Sequence, residues 1–166
     1  MRSFGRLIEA KTTAGTDFGG TGANVEAILN QGSITIPANT LSAGDVVKVR
    51  VAVAIPTTVS SDTLALSLRV GGLTGTVIVT MPATNVSNDD LVTFDADIVI
   101  RTSTTGYAAA SLVGTTGGTP GAGAKLTALS GLDLTAAIVL AVTGVWSTEL
   151  GNKANLHFFS AVVYGG

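Results

Sequence analysis

Apolar and polar residues alternate along most of the chain, which is the pattern of a β-strand that buries one face. The clearest segment covers residues 47–55, where every odd position is valine or isoleucine. The residues between them are predicted to face outward, and they are Lys48, Arg50, Ala52 and Ala54. This spacing predicts a half-buried strand.

The same alternation recurs in segments bounded by Gly, Pro, Asn and Ser. It predicts strands at residues 64–70 and 77–81, and a longer one at residues 90–101 whose outward side carries Asp95 and Asp97. Shorter candidates are Leu7–Lys11, Glu26–Leu29, Ser33–Ile36, Ala108–Val113, Lys125–Leu129, Ala137–Val142 and Leu156–Tyr164. No segment has the apolar spacing of an amphipathic helix. About eight to ten short strands with turn signals between them predict an all-β, antiparallel sandwich or closed barrel.

Two glycine-rich segments interrupt the strand pattern. Thr12–Asn24 contains glycine at four positions and is predicted to be an extended or flexible arm. Gly114–Gly123 is predicted to be a long loop, either ordered by a partner or idle on the surface. The 166 residues fit one domain. We expect residues 1–30 to form the N-terminal arm with the first short strands, and residues 31–166 to form the sandwich.

Composition adds a functional expectation. Hydrophobic residues make up 46% of the chain and charged residues 12%, which is about half the usual charged share. A surface so poor in charge is expected to be covered by a neighbour, so the sequence predicts self-association. The formal net charge is −2, and the nine cations are scattered along the chain. Binding to a phosphate backbone needs cations on one face, so we expect no nucleic-acid partner.

Several classes of site are excluded or disfavoured by the residues present. The chain has no cysteine, which excludes disulfides, thiolate metal sites and cysteine nucleophiles. The first residues lack the apolar run of a secretory signal, and the longest apolar stretch, 132–145, is too short for a spanning helix. We therefore expect no membrane association, no bound metal and no cofactor.

Candidate catalytic residues are few. His157 is the only histidine and lies in an apolar strand, where a structural role is expected. Asp95 and Asp97 share a strand face about 7 Å apart, a separation near that of glycosidase carboxylates. Aromatic residues are only 5% of the chain, so a sugar-binding cleft is not indicated. Residues 88–90 (Asn-Asp-Asp) lack the spaced ligands of a calcium loop. We expect no enzymatic activity.

Four segments together resemble a family of virion proteins. They are SITIPANTLSAGDVVKVRV (residues 33–51), LALSLRVGG (64–72), VTFDADIVIRT (92–102) and VTGVWS (142–147). Their combination resembles the jelly-roll proteins of tailed bacteriophages, which include head decoration (cement) proteins, head fibres and some tail fibres. The resemblance implies a jelly roll of about eight strands, often trimeric, that braces a capsid lattice or carries host-contacting parts. It carries over no catalytic residue.

The resemblance and the low charge lead to one functional hypothesis. The chain is expected to be a capsid decoration protein, a homo-oligomer and in particular a trimer, bound to the major capsid protein on the outer surface of a phage head. The predicted interface residues are Arg2, Phe4, Arg6, Phe18 and Trp146. Trp146 has a second interpretation, since its ring could instead cap the edge of the core. The alternatives are a receptor-binding or adhesion module of a phage fibre and a jelly-roll capsid protein.

Overall fold

The alternating pattern becomes ten strands in the folded chain, given by a computed structural model that describes residues 5–19, 22–59, 61–114, 125–148 and 151–165. Within these ranges the strands are β1 (Gly5–Lys11), β2 (Ala27–Ile36), β3 (Val46–Thr57), β4 (Thr63–Val70), β5 (Thr76–Asn85), β6 (Asp90–Ile100), β7 (Thr105–Gly114), β8 (Lys125–Ser130), β9 (Ile138–Trp146) and β10 (Lys153–Tyr164). None of the described residues belongs to a helix long and apolar enough to cross a bilayer.

The described strands form two antiparallel sheets that face each other. The larger sheet has six strands in the order β1-β10-β3-β6-β7-β8, and the smaller sheet has four in the order β2-β9-β4-β5. Four pairs are nested along the chain, because β1 pairs with β10, β2 with β9, β3 with β6 and β4 with β5. This nesting is the strand order of a jelly roll. The β7–β8 hairpin adds two strands to the eight of that arrangement.

The core lies between the sheets and is filled by alternate residues of the strands. In β3 the five positions predicted to face inward, from Val47 to Ile55, are all buried, which confirms that prediction. The three largest fully buried side chains are Trp146, Phe94 and Phe159. Each buried methylene contributes about 0.8 kcal/mol, so this packing is the main source of stability in a chain without disulfides.

β2 joins two segments that the sequence pattern separates. Its pairing with β9 shifts register between Ile28 and Ser33, which marks a bulge. Gln31 in the bulge has a φ of 61°. A Cβ added at Gly32 would lie 2.7 Å from the carbonyl oxygen of Leu29, so only glycine fits there. The break in alternation at residues 30–32 is therefore a bulge inside one strand, and not a turn between two strands.

The N-terminal segment lies against the sandwich wherever it is described. Gly15 donates its N–H to the Leu156 carbonyl at 2.8 Å, and Phe18 exchanges two backbone hydrogen bonds with Ala154, of 2.9 and 3.0 Å. The side chain of Phe18 is buried in the core. The division predicted between residues 30 and 31 falls inside β2. The first thirty residues thus supply β1, the start of β2 and the core side chains of Phe18 and Leu29 to the sandwich.

A partly buried ion pair holds β2 against β4 and β9 on the outer side of the smaller sheet. Arg69 Nη2 lies 2.8 Å from both carboxylate oxygens of Glu26, and Arg69 Nε lies 3.0 Å from Oε1. The buried Thr143 hydroxyl donates to the same Oε1 at 2.5 Å. Burial alone would raise the pKa of Glu26, but the hydrogen bonds from Thr143 and Arg69 and the guanidinium charge outweigh it and lower the pKa.

Phe159→Ala tests the core. This change removes a fully buried ring from β10, and we expect the free energy of unfolding to fall by about 3–5 kcal/mol. The control Leu73→Ala, in the exposed turn after β4, is expected to change it by less than about 0.5 kcal/mol. Guanidinium unfolding at one fixed protein concentration measures both, and equal effects of the two changes would contradict the assignment of Phe159 to the core.

Glu26→Gln tests the ion pair. A carboxyl whose pKa is lowered by folding stabilises the protein above its unfolded pKa, and this stabilisation is lost as the pH falls through the folded pKa. At pH 7 we expect the variant to be less stable by about 1–2 kcal/mol. The difference from wild type should shrink as the pH falls below the ordinary value of 4.5. Urea unfolding between neutral and acid pH measures this.

Glu9→Gln is the control for that series, since Glu9 pairs with Lys11 on the edge strand β1. It is expected to change stability by less than about 1 kcal/mol at any of these pH values. A gap between wild type and Glu26→Gln that stays constant with pH would contradict the proposed role of the Glu26 charge.

Candidate interaction surface

The outer face of the larger sheet has a charged centre. Cross-strand pairing aligns Lys48 of β3 with Asp97 of β6, and Arg50 of β3 with Asp95 of β6. Directly paired residues of an antiparallel ladder project to the same side, so the four side chains stand together. Their outward orientation confirms the sequence prediction. At the middle of the sheet, one strand thus presents cations and its neighbour presents carboxylates.

Two ion pairs connect these strands. Lys48 Nζ lies 3.8 Å from Asp97 Oδ1, and Arg50 Nε lies 3.4 Å from Asp95 Oδ1. A shallow depression of about 250 Å³ opens between them. All four side chains are about half exposed or more, and pairs in such a setting contribute about 0–1 kcal/mol each. The stability of the chain therefore depends little on these charges, and water reaches all of them.

Apolar side chains flank the charged centre on both sides. Leu7 on β1 is 58% exposed, Leu126 on β8 is 69% exposed and Tyr107 on β7 is 40% exposed. On β10, Val162 and Tyr164 are half-buried. Exposed apolar side chains on both flanks of one sheet face mark that face as a candidate interaction site. We call this outer surface of β1, β10, β3, β6, β7 and β8 the larger-sheet face.

Each flank of the larger-sheet face carries one tyrosine beneath a cation. Lys48 Nζ lies 5.9 Å from the centroid of the Tyr164 ring, and Arg101 Cζ lies 5.2 Å from the centroid of the Tyr107 ring. Contacts of this kind contribute about 0.5–1 kcal/mol at exposed sites. They restrict the tyrosine side chains before a partner binds, which reduces the entropy lost on association.

The other surfaces of the sandwich differ from the larger-sheet face. On the smaller sheet, Arg69 and Glu26 neutralise each other, and the hydroxyls of Ser67 and Thr80 are hydrogen-bonded at 3.0 Å. Among the described residues, the large apolar side chains that are exposed outside the larger-sheet face are in loops, and they are Val25, Val59 and Leu73. The larger-sheet face is therefore the strongest candidate for binding another protein.

A polar cluster ties two loops together where β3 ends and β10 begins. Asn152 Nδ2 donates to Asp62 Oδ2 at 2.7 Å, and Asn152 Oδ1 accepts the N–H of Val59 at 2.8 Å. The hydroxyl of Thr148 also donates to Asp62. Hydrogen bonds from Thr148 and Asn152 lower the pKa of Asp62. The Asp62 carboxylate accepts hydrogen bonds from Thr148 and Asn152 of the neighbouring loop, so we assign the cluster a structural role.

The residues considered for catalysis do not converge within the described part of the chain. His157 is exposed at a bulge of β10, where pairing with β3 shifts register, so it lies outside the core. Asp95 and Asp97 each pair with a cation of β3. Asn88 accepts the N–H of Thr58 at 2.7 Å and so helps to hold a turn. Among the described residues, no three His, Cys, Asp or Glu side chains are grouped to hold a metal ion.

Three of the predicted interface residues belong to the N-terminus. Arg2 and Phe4 lie outside the described residues, as do positions 115–123 of the predicted glycine-rich loop. Arg6 is exposed on β1, and its guanidinium donates to the Thr40 carbonyl at 3.2 Å. This contact leaves most of the Arg6 side chain accessible at the edge of the larger sheet.

The other two predicted interface residues, Phe18 and Trp146, meet each other inside the chain. Both side chains are buried, and the indole N–H of Trp146 donates to the Phe18 carbonyl at 3.2 Å. Of the two interpretations of Trp146, packing in the core accounts for its side chain within a single copy. An interface role for the five residues as a set stays a prediction.

Sequence reasoning missed the larger-sheet face as a unit. It placed Lys48, Arg50, Asp95 and Asp97 outward, but on strands whose neighbours were unknown. A usable signal was present, because two cations spaced by two residues on one strand match two carboxylates with the same spacing on another. Such matching favours direct pairing of the two strands.

No protein-family model matches the chain, and no curated protein matches it. It is similar to the solved CBM2 module of the evolved Dit of Lactobacillus casei BL23 phage J-1, with 12% identity over 81% of this chain and 69% of that one and a TM-score of 0.37. It is also similar to the carbohydrate esterase of the Shiga toxin-encoding bacteriophage phi24B, with 7% identity over 95% of this chain and 90% of that one and a TM-score of 0.40.

A third similar structure is the VP2 subviral particle of infectious bursal disease virus. The identity is 15% over 99% of this chain and 32% of that one, with a TM-score of 0.34. The chain thus spans about a third of the viral chain. Identities and scores this low carry no argument about family or activity. The fold is therefore assigned from the strand order of this chain, and its function is argued from the larger-sheet face.

Proposed function

We propose that the chain is a non-catalytic structural protein of a virion that works as one copy of a homo-oligomer. The observation that carries the proposal is the larger-sheet face, where exposed apolar side chains flank a charged centre. A protein that acts alone in water normally avoids such a surface. The jelly-roll strand order supports the assignment to a virion, because this fold is used by viral capsid domains.

Within this class we favour a capsid decoration protein, trimeric and bound to the major capsid protein on the outer surface of a tailed-phage head. The support is the resemblance carried by residues 33–51, 64–72, 92–102 and 142–147. In the folded chain these segments lie mainly on β2, β3, β4, β6 and β9, which are five of the ten described strands. The resemblance therefore concerns the framework, and the attachment surface has to be found by experiment.

The mechanism of such a protein is binding alone. Apolar area buried between chains contributes about 25 cal/mol per Å², from which about 4–15 kcal/mol is subtracted for lost rigid-body freedom. An oligomer that touches several capsid subunits at once gains further, because its later contacts form within the same complex. A capsid lattice is stabilised in this way without any chemical step.

Co-sedimentation with undecorated tailed-phage heads tests the capsid assignment. We expect the purified protein to pellet with the heads and to saturate at a fixed number of copies per head. Binding to host cells or glycans in place of heads would move the assignment to an adhesion module. Unaided assembly into closed shells would identify a capsid protein, and the absence of all three behaviours would overturn the proposal.

Leu126→Asp tests the larger-sheet face itself. A carboxylate at this position puts an unpaired charge into any interface formed there, and we expect at least about tenfold weaker association. Leu73→Asp is the matched control, since Leu73 is exposed in the turn between β4 and β5. Sedimentation velocity over a range of concentrations measures both, and equal behaviour of the two variants would exclude the face as the interface.

A further inference from the structure

Residues that are paired across the larger sheet form rows, and three adjacent rows at one end of the face read alike from both edges. One row crosses all six described strands and has the order apolar, apolar, cation, carboxylate, apolar, apolar. Its members, from β1 to β8, are Leu7, Val162, Lys48, Asp97, Ala109 and Leu126. The midline of the row lies between β3 and β6, with three strands on each side.

Two neighbouring rows have the same symmetry about this midline. One consists of tyrosine, valine, valine and tyrosine, and its members are Tyr164, Val46, Val99 and Tyr107. The other consists of serine, cation, carboxylate and serine, and its members are Ser160, Arg50, Asp95 and Ser111. Over these three rows the two halves of the face therefore match in polarity, and at the centre they carry opposite charges.

This pattern is what a self-complementary interface requires. A two-fold interface brings each residue onto a different residue of the same surface, so that the surface must complement itself. Rotation about an axis that lies in the face along the midline keeps every row in place and exchanges its halves. Lys48 then lies over the partner's Asp97, and Arg50 lies over the partner's Asp95.

The flanks match under the same rotation. Leu7 lies over the partner's Leu126, and Tyr164 lies over the partner's Tyr107, so that apolar groups meet apolar groups. An axis in the face but perpendicular to the strands would place β3 on β3, with cations against cations. The charges thus select one of the two simple ways of pairing this face with itself.

We propose that the larger-sheet face binds a second copy of this chain about a two-fold axis between β3 and β6. The inference rests on the proposed role of this face as an interaction surface, and it names the partner. The apolar flanks supply the affinity, and the central charges fix the register, because each cation meets a carboxylate of its own chain and one of the partner. Sheets that pack face to face lie about 10 Å apart with strands within about 30° of each other.

The size of the face fits this partner. Six strands about 4.8 Å apart, with about seven residues of overlap at about 3.4 Å each, give a projected area of roughly 700 Å². This is of the same order as the roughly 800 Å² that each partner buries in a standard interface. Two-fold pairing gives an even number of chains. Six chains, as two trimers face to face, would satisfy both this inference and the predicted trimer.

Charge complementation is the decisive experiment. An acidic variant, Lys48→Asp with Arg50→Asp, carries four carboxylates at the centre of the face, and a basic variant, Asp95→Lys with Asp97→Lys, carries four cations. We expect each variant alone to have half the native mass of wild type, and an equal mixture to recover the wild-type mass. Sedimentation velocity at fixed total concentration measures this.

Controls reverse an exposed ion pair at the other end of β10 from the charged rows, where Lys153 pairs with Thr57 of β3. Lys153 Nζ lies 2.7 Å from Asp17 Oδ2, and Lys153→Asp and Asp17→Lys are each expected to keep the wild-type mass. A monomeric wild type, or face variants that keep its mass, would overturn the inference. Far-UV circular dichroism of each variant shows whether it is folded.

Cross-linking keeps the inference testable if the charge variants fail to fold. The chain has no cysteine, so single cysteines introduced by Ala109→Cys and Val162→Cys are unique. A short bismaleimide is expected to link a mixture of these two chains, because Ala109 lies over the partner's Val162. Thr35→Cys, exposed on β2 of the smaller sheet, is expected to link with neither. Equal linking by Thr35→Cys, or none by the mixture, would overturn the inference.

These experiments use the isolated protein, so their outcome is separate from binding to capsids. A monomer that pellets with heads would overturn two-fold pairing and leave the decoration role in place. A dimer that does not pellet with heads would overturn the decoration role and leave two-fold pairing in place.

Discussion

The pairing of β3 with β6 on one side and with β10 on the other sets the register of the whole larger sheet. It places the inward residues of β3 in the middle of the core. It also aligns the outward residues in rows across the larger sheet. Because side chains alternate with a period of two, a slip of one residue would bury Lys48 and Arg50 and expose the valines. One register therefore determines both the stability of the chain and the content of the larger-sheet face.

The outer surfaces of the two sheets differ in how their charged groups are paired and exposed. On the smaller sheet, Arg69, Glu26 and Thr143 satisfy one another in a partly buried cluster, so little is left for a partner. On the larger sheet, the charges are exposed and weakly coupled, and apolar side chains surround them. In a chain with only 12% charged residues, this distribution makes one surface of the sandwich self-contained and the other suited to association.

An assembly role and two-fold pairing place different demands on the molecule. If the larger-sheet face is occupied by a second copy, a capsid must be contacted by other surfaces, which are the smaller sheet, the loops at the two ends and the N-terminal segment. Arg6 lies at the edge of the larger sheet and contacts the loop between β2 and β3 through the Thr40 carbonyl. The polar cluster around Asp62 and Asn152 holds two end loops in fixed positions, which favours their use as a rigid contact.

Alternation over residues 47–55 and 90–101 was enough to predict those strands and their inward residues, because burial of one face dictates a local pattern. The composition alone indicates a surface poor in charge. The folded chain shows which strands are neighbours, that Gln31 lies in a bulge, and that Trp146 contacts Phe18, 128 positions away, inside the core. It likewise shows that the cations of β3 stand beside the carboxylates of β6. The physical reason is that alternation is set by each residue's near neighbours, whereas strand pairing depends on the joint packing of segments far apart in the chain.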